Sequence, residues 1–377
     1  MANSIEVLLK FVRLAMGWET DFSLPKDVDW KEVWAIALEQ GVSAIMIDGY
    51  DILCQKNPDQ KDGLTSGGNK RFLLEAIGQT QVIEATYRQH LESLKEVGKI
   101  MGEVGIPFML MKGFACGQYY PIPRHRACGD IDIYPGNQYD KSNEAFAAAG
   151  IGVDPYYYRH SASFVKGVMV ENHRVLCDLR GPKHQTRELE QQLEDEANIS
   201  IREGKNVVVD NVSIDGAKFP IADYNALFLP WHVSAHFIIE RVTVRHLLDW
   251  ALFLTHEGKD INVEKFRIAK KKYTYGFSKI ADILTNLSLR YLNIPKAEIP
   301  KEIIDDAVGF DNDVADKVFN YMFEGELKER DSRLWKERLN NVKRIWQERW
   351  KYQEIYGMNV FEFLLMKVKG VVFKEGE

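Results

Sequence analysis

Gly129-Asp130-Ile131-Asp132-Ile133-Tyr134 is the stretch on which the fold turns. Acid and isoleucine alternate through it with the period of a β-strand, so Asp130 and Asp132 leave one face while Ile131 and Ile133 leave the other. Two carboxylates side by side on one face repel unless a cation lies between them. Hard oxygen ligands paired in this way suit a magnesium ion that also takes phosphate oxygens. A bare Asp-x-Asp fits an exposed edge strand with solvated charges at least as well, so the parts around it decide.

Upstream, Ile106 to Met111 is a short apolar run that ends at Lys112-Gly113, as a buried strand entering a turn would. A short helix is expected from Phe114 to Tyr120, before the break at Pro121-Ile122-Pro123. At such a helix start free backbone N–H groups face outward and Gly113 lets a phosphate come close, while Lys112 adds positive charge beside a triphosphate. Arg126, four residues before Asp130, is placed to hold a phosphate or the acid pair, and fits a surface arginine on a loop equally well.

Downstream, Asp140 is the expected cap of an alanine-rich helix that stops at Gly150. Tyr156 to Val165 and Val168 to Leu176 flank Lys166-Gly167, a credible tight hairpin turn. On the second of these strands Met169, Glu171 and His173 share a face. Glu171 is then a third carboxylate, able to complete a metal site or take a proton from a hydroxyl, with His173 beside it. Asp178 competes for that role, but it is out of phase with Glu171 unless a bulge intervenes. Short strands at Val207–Val209 and Val212–Ile214 close the region.

On both sides the pattern is helical. Ile5, Leu8, Leu9 and Val12 fall on one helical face, as do Trp30, Val33, Trp34 and Ala37, and a long helix is expected near Phe72 to Val104 after a polar loop from Asn57 to Asn69. Beyond Asp223, helical spacing marks Tyr224 to Glu240 (with Pro230 as a kink), Val244 to His256, Phe277 to Leu292, and a tail with Trp335, Leu339, Val342, Ile345 and Trp346. The expected architecture is α+β: a small mixed-sheet core at 99–222 between helical regions at 1–98 and 223–377.

Composition narrows the function. A net charge of −6 over 377 residues argues against a protein that grips a long nucleic-acid backbone, and Lys270-Lys271-Lys272 is short enough to be a solvated helix face. Cys54, Cys116, Cys128 and Cys177 form no CxxC pair, so no disulfide framework or structural zinc site is expected, and a reducing, cytoplasmic setting fits. Lys10 and Arg13 interrupt the apolar run at Val7-Leu8-Leu9 before a signal peptide could form, and no stretch approaches the roughly 18–20 apolar residues of a membrane span. Neither a GxSxG elbow nor a GxxxxGK[ST] loop is present.

Three other groups carry competing readings. His232, His236 and Glu240 recur every four residues, which suits a transition-metal site of a hydrolase, a polar groove, or a wall beside the acid site. Tyr156-Tyr157-Tyr158 and Trp231 suit base stacking or plain core. Arg245, His246 and Asp249 suit charge pairing across one helical turn.

Leu110-Met111-Lys112-Gly113, Tyr119-Tyr120-Pro121, Arg126 and Gly129-Asp130-Ile131-Asp132-Ile133, followed by Glu171 and His173, resemble the uncharacterised nucleotidyltransferase family of the DNA polymerase β-like superfamily. The resemblance implies a polymerase β-like core and transfer of a nucleotidyl group from an NTP to a hydroxyl-bearing acceptor. It implies two Mg²⁺ ions, with Asp130 and Asp132 on both, Glu171 on one, and Lys112 and Gly113 near the phosphates. The wider superfamily has Gly-Ser or Gly-Gly where this chain has Lys112-Gly113, so the usual hydroxyl contact to phosphate is missing. A nucleotide-binding or regulatory module without turnover is the alternative on the same scaffold. The NTP, the acceptor and the oligomeric state are left open.

Overall fold

The computed structural model describes residues 2–20, 23–25, 27–57, 69–155, 158–177, 183–238, 240–324 and 343–365. The acid strand lies inside a seven-stranded mixed sheet of order β3-β4-β5-β2-β1-β7-β6. Its strands are β1 (Phe108–Met111), β2 (Ile131–Tyr134), β3 (Val153–Asp154), β4 (His160–Val165), β5 (Val168–His173), β6 (Asn206–Val209) and β7 (Val212–Lys218). β2 runs antiparallel to β1 and parallel to β5. Helical regions precede and follow the sheet, so the fold is α+β with helical flanks.

The alternation expected of β2 sorts the two sheet faces. Ile131 and Ile133 pack with Phe108, Leu110 and Val170 in one cluster, against Leu94, Val97 and Met101 of α4 (Asn69–Glu103) and Phe146 of α6 (Tyr139–Ala148). Burying each such isoleucine contributes about 1.5–3 kcal/mol. The opposite face carries Met109, Met111 and Tyr134, which pack with Leu189 and Leu193 of α7 (Lys183–Glu203) and Tyr224 and Phe228 of α8 (Ala222–Phe237). Asp130 and Asp132 therefore point towards the C-terminal helices. Buried residues of α1 (Ala2–Ala15), α2 (Trp30–Glu39) and α3 (Ser43–Lys56) belong to that second cluster, with a ring group of Phe11, Trp30 and Tyr50 between them. The chain continues through α9 (Val244–Glu257), α10 (Val263–Lys272), α11 (Phe277–Tyr291), α12 (Lys301–Val308) and α13 (Asn312–Met322). No described helix is long and apolar enough to cross a membrane.

Several boundaries differ from the sequence expectations. α3 and α7 have no counterpart in them, although Leu189, Leu193 and Ala197 repeat at helical spacing and are buried. Gln138 takes the cap position of α6, and Asp140 falls within the first turn, where its charge complements the helix dipole. The helix after Lys112-Gly113 is α5 (Lys112–Cys116), continued by a tighter turn at Gly117–Tyr119. Lys270 is not solvated: it is buried and ion-paired to Asp282, and to Asp306 at 3.0 Å. Asp249 forms its ion pair with Arg126 across the molecule, while the charge of Arg245, one turn earlier on its own helix, acts on it more weakly. The hairpin turn is as expected, with positive φ at Lys166 and Gly167, the twist a two-residue connection needs. None of the four cysteines forms a disulfide among the described residues. Asp178, Tyr156, Tyr157, most of the 57–69 loop and the tail at Trp335, Leu339 and Val342 lie outside the described residues.

Candidate active site

β1 delivers the first side chain. At its end Lys112 takes a left-handed backbone with φ of 47°, which is uncommon for a residue with a side chain. The β1–β2 register sets Met111 opposite Asp132. From the next position Lys112 donates from Nζ to Asp132 Oδ1 at 2.6 Å. Gly113 follows because nothing larger fits: a Cβ there would stand 2.7 Å from Cys128 Sγ and 3.3 Å from Arg126 Nη1. The missing side chain thus makes room for the chain's own return segment.

β5 delivers the next two. Its parallel register sets Glu171 directly across from Asp132. One carboxylate oxygen from each of Asp130, Asp132 and Glu171 falls within a cluster no wider than 4.8 Å. His173 Nε2 lies 2.8 Å from Asp132 Oδ1 and 3.3 Å from Glu171 Oε2. His173 Nδ1 is buried and has no hydrogen-bond partner among the described residues.

The three acids differ in electrostatics because their neighbours differ. Burial and the adjacent charge of Asp132 push the Asp130 carboxyl up to about 6. Burial also disfavours ionised Asp132, but the Lys112 ammonium and the His173 hydrogen bond overrule it and hold that carboxyl well below the usual range. For Glu171 burial is again the largest effect and opposes ionisation, but the His173 hydrogen bond together with the charges of Lys112 and His173 lowers its carboxyl.

Arg126 lies elsewhere. It is buried, donating from Nε to Asp249 Oδ1 at 2.9 Å and from Nη2 to Oδ2 at 2.6 Å, while Tyr120 OH donates to the same Oδ1 at 2.7 Å. His232 borders the site: burial, then the nearby charge of Lys112, hold its imidazole well below the ordinary value. Its ring meets His236 edge-on at 4.5 Å, and His236 Nδ1 lies 3.2 Å from Glu240 Oε2. Among the described residues His232, His236 and Glu240 do not converge as metal ligands. Trp231 is buried in the main cluster, and Tyr158 is exposed.

Sequence reasoning missed His160. It stands opposite His173 in the β4–β5 ladder, with Nε2 3.4 Å from Glu171 Oε1. Burial lowers its pKa to about 4. The signal was present in the hairpin: once Val165 and Val168 pair around Lys166-Gly167, counting outward five residues on each strand brings His160 to His173.

Asp132 of β2, Asp130 just before it and Glu171 of β5 are thus brought together, with Lys112 at the end of β1. Residues 26–292 match a family described as uncharacterised nucleotidyltransferase. The chain belongs to this nucleotidyltransferase family. Searches of curated proteins and of solved structures give no match. The matched span contains all of β1 to β7, and with them every acid and histidine of the site. Membership of a nucleotidyltransferase family supports nucleotidyl transfer as the general role and a nucleotide as one substrate.

Proposed function

We propose that this family member transfers a nucleotidyl group from an NTP to a hydroxyl of a small molecule or protein, with Mg²⁺, at Asp130, Asp132 and Glu171. The observation that carries the reading is the convergence within 4.8 Å of three carboxylate oxygens, from Asp132 of β2, Asp130 just before it and Glu171 of β5. The donor set is all oxygen, which suits a hard cation, and the Lys112 ammonium already lies against Asp132 Oδ1 at 2.6 Å, so positive charge is matched there. Bound Mg²⁺ would supply Lewis-acid polarisation of phosphate and acceptor oxygens.

The remaining roles belong to the chain's own side chains. Asp130 and Asp132 hold the ions, and Glu171 holds one of them or takes the acceptor proton. His173 fixes Asp132 and Glu171 relative to each other. Lys112 is the phosphate-facing cation once an ion replaces it at Asp132. Arg126, which donates Nε and Nη2 to Asp249 and Nη1 to the Ala127 carbonyl, supports the turn behind Gly113 and does not bind phosphate. A polymerase β-like core at 99–222, between helical regions at 1–98 and 223–377, is part of the same proposal. So is a cytoplasmic location, which four cysteines without a CxxC pair favour. A charge of −6 favours a small-molecule or protein acceptor over a long nucleic acid.

The test is binding of each of the four NTPs, with and without Mg²⁺, to wild type and to Asp130→Ala/Asp132→Ala, beside turnover. Mg²⁺-dependent binding that disappears in the double variant supports the site. Lys112→Met should weaken that binding about tenfold or more, the worth of one charge-assisted hydrogen bond. A wild type that binds no NTP sinks the reading, and binding without turnover for any acceptor favours a regulatory module, for which the Lys112–Asp132 pair speaks.

A further inference from the structure

Two imidazoles, His160 and His173, stand against the acids on the same sheet face. β4 and β5 set His160 opposite His173, and Glu171 lies two residues before His173 on the same face. β2 adds Asp132 directly across from Glu171. Four potential ligands thus occupy neighbouring positions on three adjacent strands.

We propose that His160, Glu171 and His173 bind a divalent transition-metal ion of the zinc type, sharing Glu171 with the carboxylate cluster. One ligand atom from each of the three lies within 4.8 Å of the others. The individual spacings are more telling. His160 Nε2 is 3.4 Å from Glu171 Oε1, and His173 Nε2 is 3.3 Å from Glu171 Oε2. His173 Nε2 is 2.8 Å from Asp132 Oδ1. Ligands bonded to one ion at about 2.0–2.1 Å stand about 3.0 Å apart along an octahedral edge and about 3.3–3.4 Å apart along a tetrahedral one. The two imidazole–Glu171 separations, one to each carboxylate oxygen, fall at the tetrahedral end of that range, while the 2.8 Å contact of His173 with Asp132 is shorter and gives way when an ion takes Nε2.

Donor chemistry separates this position from the first. Magnesium takes hard oxygens and holds imidazole poorly, whereas two imidazoles and a carboxylate suit zinc and its neighbours in the first transition row. Two imidazoles with one glutamate also leave a fourth position, for Asp132 or for an exogenous ligand. The β4–β5 ladder sets the three ligands in neighbouring positions before any ion arrives, which limits the ordering cost of binding. The inference does not depend on the nucleotidyl-transfer reading, since neither Asp130 nor a nucleotide takes part.

The test uses the full chain, stripped with chelator and dialysed against Zn²⁺ alone, Mg²⁺ alone, or Zn²⁺ with excess Mg²⁺. Bound metal is counted, and Co²⁺ substitution reports nitrogen ligation through its visible absorption. One Zn²⁺ per chain, retained against millimolar Mg²⁺, is expected in wild type and in Asp130→Ala. His160→Ala should weaken Zn²⁺ binding by at least about 100-fold, since even outer-sphere partners of a metal site cost 10–100-fold when removed. His160→Gln, which keeps the side-chain bulk, should show the same loss, with melting temperatures taken without metal as the control for folding. Wild type that retains no Zn²⁺, or Zn²⁺ held equally by wild type and His160→Gln, would overturn the proposal. Zn²⁺ binding of this kind without Mg²⁺-dependent NTP binding would sink the proposed function and leave the zinc site standing. The opposite pattern would do the reverse.

Discussion

Arg126 and Asp249 lie 123 residues apart and close a two-point ion pair in the core, at 2.9 and 2.6 Å. The pair ties the segment before the acid strand to α9, behind the turn that carries Lys112 and Gly113. Burial opposes ionisation of Asp249, but the guanidinium outweighs it and its carboxyl is lowered. The charges are therefore matched, and each depends on the other for solvation.

Removing one partner should cost far more than removing both. Asp249→Ala leaves a buried guanidinium and the Tyr120 hydroxyl without their acceptor, for which about 3–5 kcal/mol of lost stability is expected. Arg126→Met/Asp249→Leu leaves no buried charge and should be closer to wild type than Asp249→Ala is. Urea denaturation of the three chains checks this. A cost below about 1 kcal/mol for Asp249→Ala would mean that the pair is not buried as described.

Gly113 supports a packing prediction beside the site. An added Cβ would meet Cys128 Sγ at 2.7 Å, and that sulfur is itself held 3.1 Å from the Asp130 carbonyl oxygen. Gly113→Ala must push Cys128 aside, with an expected cost of about 1–3 kcal/mol. Cys128→Ala removes the obstructing atom. The double variant should therefore recover at least about 0.5 kcal/mol relative to the sum of the single changes, as measured by denaturant midpoints. Strict additivity would place the glycine's requirement elsewhere.

What the sequence reveals about this molecule follows the range of the forces involved. Alternation in Asp130-Ile131-Asp132-Ile133 is local, so the strand and the shared face of its acids were readable, and so was the turn at Lys166-Gly167. Strand order is not local. That β2 and β5 are parallel neighbours, with Asp132 opposite Glu171, depends on packing across a crossover that no residue in either strand encodes. Arg126 shows the same limit from the other side. Its position before the acids leaves a phosphate, the acid pair or plain solvent open, and its partner Asp249 comes from another part of the chain altogether. His160 was recoverable in principle, since the hairpin turn fixes its partner by counting. It was overlooked because the strand was started at Tyr156 and its first residues were read as aromatic core.

His246 gives a pH-dependent prediction away from the acids. At the start of α9 its Nδ1 lies 3.2 Å from the Thr243 backbone nitrogen and 2.9 Å from Thr243 Oγ1, and the two residues form a capping box. Accepting from a backbone N–H requires the lone pair on Nδ1, so protonation there would break the cap. Burial first, and then the neighbouring charge of Arg245, lower the pKa to about 3. The ring also faces His236 at 5.9 Å and His232 at 6.4 Å, and neither supplies a compensating negative charge. The unfolded chain titrates near 6.5, so between about pH 6.5 and pH 3 it binds a proton that the folded chain refuses. Stability is then fully present above 6.5 and falls as pH drops through that window, by about 2 kcal/mol between pH 7 and pH 5 from this group alone. His246→Gln keeps an acceptor at the position where a capping box ordinarily has Glu or Gln, and it cannot titrate. The variant should match wild type within about 1 kcal/mol at pH 7 and lose less stability at pH 5, as read from urea midpoints at the two pH values. Equal losses in both chains would assign the acid sensitivity to another group and restore a protonatable Nδ1 at the cap.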